Sequence, residues 1–89
     1  MLNLKNIRTH YKISQTQMAS YLDITQVAYL HYEKDQREMP VKLAIKIANT
    51  FNYSLDIIYD RYILTKEAIE DHQPSEIHLL KKDDTNLAI

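Results

Sequence analysis

The tightest constraint on the fold is the spacing of two helix-start signals, Ser14 and Thr25, in "ISQTQMASYLDITQVAYLHYEKD". Ser14 and Gln17 form an S-x-x-Q capping box, in which each side chain satisfies a backbone N–H left free at a helix start. Ile13 before the cap and Met18 four residues after it supply the apolar staple that accompanies such a box. Thr25 repeats the pattern, with Ile24 before it and Tyr29 four residues after it. These signals place one helix at about residues 15–22 and the next at 26–33. Only Asp23 and its neighbours separate them, and so short a turn makes two helices cross steeply.

The flanking segments follow the same logic. Leu4, Ile7 and Tyr11 share one face of a first helix. Pro40 suits a helix start. After it, Val41, Leu43, Ala44, Ile45, Ile47, Ala48 and Phe51 cover most of a helix circumference, the pattern of a helix central to a core. Ser54 caps a fifth helix, with Tyr53 and Ile58 as its staple and Asp56 in the first turn, where the helix dipole favours an acid. The expected unit is a compact all-α domain of five short helices over residues 1–62. A C-terminal extension, 63–89, holds "TKEAIEDH" and "SEIHLLKK" on either side of Pro74. Its scattered apolar residues, Ala68, Ile69, Ile77, Leu79, Leu80, Leu87 and Ile89, allow helical turns that need something to pack against, and otherwise disorder.

Composition removes whole classes of chemistry. The 89 residues contain no cysteine, which excludes thiol nucleophiles, disulfides and cysteine-based zinc sites. They contain no glycine, where average usage would give about six. Glycine-rich phosphate loops are therefore excluded, and every tight turn must use Asp, Asn or another residue. No apolar run is long enough to span a membrane, and the N-terminus has no signal-peptide pattern, so the cytoplasm is the expected location. Net charge is −1: residues 1–62 carry eight Lys/Arg against six Asp/Glu (+2), and residues 63–89 carry three against six (−3). His10, His31, His72 and His78 are scattered, without metal-ligand spacing, and no nucleophile–base pair can be assembled. Neither an enzyme nor a cofactor is expected.

The segment "SQTQMASYLDITQVAYLHYEKDQREMP" resembles the phage-repressor and Cro (XRE-like) type of helix-turn-helix, over residues 2–62. The match includes Gln15 opening the second helix, the small Ala19 and the acidic Glu33 at the end of the third. In place of the family's usual core aliphatic stands Tyr29, with Tyr32 behind it. Asp23 and Asp35 stand where the family usually has glycine, at positions expected to need a positive φ, which Asp tolerates better than most residues. The resemblance implies a lambda-repressor-like DNA-binding domain and a transcriptional regulator, in the first instance a repressor.

At about 100° per residue, Tyr29 and Tyr32 define the inward side of the third helix, leaving Val27, Leu30 and His31 outward and Gln26 at the edge. The resemblance makes Gln26, Val27, Leu30 and His31 the base-facing set. Glutamine can pair with adenine, and aliphatic side chains suit thymine methyls, which together favour A·T-rich DNA. Gln15, Lys34 and Arg37 are the expected phosphate contacts; for Gln15 a plain helix-start role has equal standing. Lys42 and Lys46 read as solvated surface. One helix covers few base pairs, which argues for a homodimer. Tyr59 and Tyr62 suit a dimer interface, although core packing is the commoner role of tyrosine. The alternative is a protein-interaction module on the same fold, an antirepressor or antitoxin, using the apolar face of the third helix or the acidic tail.

Overall fold

Residues 1–74 are described in the computed structural model, and among them every regular element is a helix. The order is α1 (Leu2–His10), α2 (Gln15–Tyr21), α3 (Gln26–Glu33), α4 (Val41–Phe51), α5 (Leu55–Ile58) and α6 (Lys66–Asp71). The helical turns expected from "SEIHLLKK", the apolar residues from Ile77 onward and His78 lie outside the described residues.

The start signals act as the sequence implies. Ser14 Oγ accepts from the Gln17 N–H at 3.0 Å, and the Ser14 N–H donates to Gln17 Oε1 at 2.7 Å. Thr25 Oγ1 accepts from the Ala28 N–H at 3.1 Å, and Thr65, which the sequence reading did not mark as a cap, closes the start of α6 in the same way on the Ala68 N–H at 3.1 Å. Each cap removes one of the orphan donors of a helix start.

The helix ends show how a chain without glycine turns. After α1, α2, α3 and α5, the left-handed position falls to Lys12 (φ 58°), Asp23 (58°), Asp35 (60°) and Asp60 (61°). In all four the same two bonds close the helix: Ile13 N–H to Arg8 O and Lys12 N–H to Thr9 O after α1, Ile24 to Ala19 and Asp23 to Ser20 after α2, Gln36 to His31 and Asp35 to Tyr32 after α3, Arg61 to Asp56 and Asp60 to Ile57 after α5. This is the Schellman closure, which usually relies on glycine. Helix α4 ends on Asn52, also left-handed at φ 60°.

The core gathers Leu4 and Ile7 of α1, Ile13, Met18, Ala19 and Leu22 around α2, Tyr29 of α3, Met39, Ala44, Ile47, Ala48 and Phe51 around α4, and Ile58 of α5. Helix α4 departs from the expected all-round burial. Its inward stripe is Ala44, Ile47, Ala48 and Phe51, whereas Val41 and Ile45, one turn apart on another side, are 58% and 44% exposed. Helix α6 lies against α1 with Ile69 buried, and Leu64 packs on the core.

Two polar clasps join α1 to the end of α5. The Asp60 carboxylate accepts from the Leu2 and Asn3 backbone N–H groups, capping a helix that has no side-chain cap of its own. The fully buried Asn3 side chain donates to Ile57 O (2.9 Å) and Tyr62 O and accepts from the Leu64 N–H (2.9 Å).

Candidate nucleic-acid interface

Helix α3 is fixed from its inner side. Tyr29 is fully buried and Tyr32 packs on the core, as the helical spacing predicts. The outer side carries Gln26, exposed, and Val27, 62% exposed, with Leu30 and His31 half-buried beyond them. These four residues therefore stand on one capped helix with graded access to solvent. A single exposed aliphatic side chain is ordinary on a protein surface; Val27 stands out because it shares the outer face of α3 with Gln26, Leu30 and His31.

The C-terminal end of α3 is locked by a buried ionic network that the spacing of residues did not disclose. Arg8 Nε donates to Glu33 Oε2 at 2.8 Å and Arg8 Nη2 to Glu33 Oε1 at 2.9 Å. Arg8 Nη1 also donates to Ile13 O at 2.8 Å, and the Tyr29 hydroxyl donates to Glu33 Oε2 at 2.6 Å. Burial by itself raises the Glu33 pKa, but hydrogen bonds from Arg8 and Tyr29 and the Arg8 charge outweigh it and hold the carboxyl below its ordinary range. The Arg8 guanidinium is raised by its bond to Glu33, and burial pushes the Tyr29 phenol far up. Glu33 is thus a carboxylate and Tyr29 a neutral donor, so every group in the network keeps its role through the neutral range.

Gln15 belongs to this network as well. Its Nε2 donates to Glu33 Oε1 at 3.3 Å, tying the first turn of α2 to the last turn of α3. An amide nitrogen has two N–H groups, so one remains beyond this bond. Lys34 and Arg37 are exposed just past α3, in the loop closed by the Gln36 and Arg37 N–H groups on His31 O. A cleft between α1 and this loop is lined by Lys5, Gln15, Lys34 and Gln36 together with acidic Glu33 and Asp35. Lys42 is exposed. Lys46 is engaged instead of simply solvated: its Nζ donates to Tyr21 O at 2.7 Å and lies 4.5 Å from the centre of the Tyr21 ring.

The two tyrosines named for an interface part company. The Tyr59 hydroxyl donates to Met39 O at 2.8 Å within the chain, whereas Tyr62 is 65% exposed. Ile63 (63%) and Leu2 (50%) are exposed alongside the Asn3 clasp that holds Tyr62 O. Sequence reasoning missed Arg8, Asn3 and Asp60. Each is a polar residue at or near a buried face, and only its distant partner reveals its role.

Among the described residues, no three His, Cys, Asp or Glu side chains come together in a way that could hold a metal ion, and no helix is long and apolar enough to cross a membrane. A family model described as helix-turn-helix matches residues 4–58. The chain is 41% identical over 68 residues to a Bacillus subtilis (strain 168) protein named as an uncharacterized HTH-type transcriptional regulator, YqaE. That match covers 76% of this chain and 54% of the relative, so the chain spans about half the relative's length. No solved structure matches it. The capped α2–α3 pair, its tight turn and the family match over most of the helical unit agree: the chain belongs to the XRE-type helix-turn-helix family.

Proposed function

We propose that the protein is a DNA-binding transcriptional regulator, acting as a repressor, that reads the major groove with α3. The observation that carries this reading is the outer face of α3, where Gln26 and Val27 stand free on a helix whose far end is locked by Arg8 and Glu33. A rigid helix with an open face is what base readout requires. Gln26 addresses adenine, Val27 and Leu30 address thymine methyls, and His31 a base edge or phosphate. Gln15, through its remaining N–H, and Lys34 and Arg37 address phosphates.

The working form is a homodimer on two half-sites about 34–36 Å apart. Tyr62, Ile63 and Leu2 form the contact, and Tyr59 supports it from within the chain. The residues after 62 act as an extension of the DNA-binding unit. The second reading, a protein-interaction module, draws on the same exposed Val27.

The test is a binding titration of duplex DNA with the wild-type chain and with Val27→Glu. Affinity for A·T-rich duplex that falls as salt rises, and a loss of about tenfold or more in Val27→Glu with helicity unchanged, are expected. Equal affinity of the two chains would remove α3 from the interface.

A further inference from the structure

We propose that α6, with His72 behind it, is a detachable strap that docks on α1 and on the C-terminal end of α4 and lifts off while the helices beneath stay folded. The docking contacts are few and specific. Ile69 is 5% exposed, facing α1. The His72 ring lies flat on the Tyr53 ring, with centroids 3.7 Å apart and planes 15° from parallel. His72 Nε2 is 2.8 Å from Phe51 O, the last carbonyl of α4, and a carbonyl only accepts, so Nε2 carries the proton. The Tyr11 hydroxyl adds a long bond of 3.4 Å to His72 O.

Three features work against permanent docking. Helix α6 has six residues, too short to be stable alone, and all of them except Ile69 are exposed. The seam between α1 and α6 is already open as a cleft of about 430 Å³, lined by Asn6, Thr9, His10, Leu64, Lys66 and Ile69. The hydroxyl of Tyr53, the ring that His72 covers, is buried without a hydrogen-bond partner among the described residues. Burial, with Tyr11 adding to it, pushes that phenol up to about 12. A buried hydroxyl without a partner costs free energy that is recovered when water reaches it, and lifting the His72 ring off the Tyr53 ring opens that side of Tyr53 to solvent.

The device decides how the chain leaves the domain. Docked, residue 72 is pinned beside the end of α4; lifted, the chain is held as far as Leu64 by Asn3 and is free from there on, with Ile69 and Tyr53 uncovered. None of the strap's docking groups belongs to the Arg8–Glu33 network, so α3 keeps its support in both states. The inference does not depend on what α3 binds.

The test is native-state hydrogen exchange on the full chain at low denaturant concentrations. The Ile69 and His72 amides, bonded to Thr65 O and Ile69 O, report the strap. They are expected to exchange about tenfold or more faster than the amides of α4, with a shallower denaturant dependence because little surface opens. In Tyr53→Phe, which removes the orphan hydroxyl, strap exchange is expected to slow about tenfold. One shared rate and one shared denaturant slope for α6 and α4 would overturn the strap. Strap amides in Tyr53→Phe that exchange as fast as in wild type would overturn the role given to the hydroxyl.

Discussion

Arg8 and Glu33 join the first helix to the last turn of the third by two parallel hydrogen bonds, 2.8 and 2.9 Å long, inside the core. The pair does more than link helices. Glu33 also receives Tyr29 and Gln15, so α1, α2 and α3 meet at one carboxylate.

Removing one partner of such a pair leaves the other charged and buried. Glu33→Gln strands the Arg8 guanidinium, and the expected loss is about 3–5 kcal/mol, a large part of the stability of a domain this size. Urea denaturation followed by circular dichroism measures it. A loss below about 1 kcal/mol would mean that the pair is a solvent-screened contact.

The same carboxylate makes stability depend on acid. Folded Glu33 has a lower pKa than its ordinary value of 4.5, so the folded chain binds fewer protons there than the unfolded one. Its contribution is therefore complete above about pH 4.5 and lost as pH falls through the depressed folded value. Wild type is expected to weaken in that acid window more steeply than Glu33→Gln, so the two denaturation midpoints converge as pH drops.

The glycine-free helix ends carry a measurable cost. Lys12 sits in the left-handed region at φ 58° with no special tolerance for it. Lys12→Gly keeps both closing bonds, which are backbone bonds, and is expected to stabilise the chain by about 1 kcal/mol. In a domain of this size that raises Tm by roughly 4–8 °C. An unchanged or lower Tm would show that the position is not strained.

For the proposed interface, base and phosphate contacts are expected to fail differently. Gln26→Ala should cost about 1–3 kcal/mol and relax the preference at one base position. Lys34→Ala should weaken all sequences alike and reduce the salt slope by about one. Sequencing of selected DNA and salt titrations separate the two patterns.

Much of the helical layout was legible because caps and staples are local. Ser14, Thr25 and Ser54 each announce a helix by chemistry within four residues, and the structure has a helix after each. The family resemblance put a positive φ at Asp23 and Asp35, where glycine is usual, and both are left-handed. What stayed hidden is non-local. Nothing near Arg8 in the chain points to its role, because its partner Glu33 lies 25 positions away. Asn3 and Asp60 act across nearly the whole domain. The half-burial of Leu30 and the exposure of Ile45 depend on what packs against each helix from elsewhere in the chain, which helical periodicity alone does not encode.

Whether α3 reads DNA is tested most directly by selection from a random duplex pool, with the retained DNA sequenced at several salt concentrations. An enriched A·T-leaning palindrome is expected, with half-sites about one helical turn apart and affinity falling steeply as salt rises. No enrichment, and no binding even at low salt, would contradict DNA readout by α3 and leave Gln26, Val27, Leu30 and His31 as a face for protein.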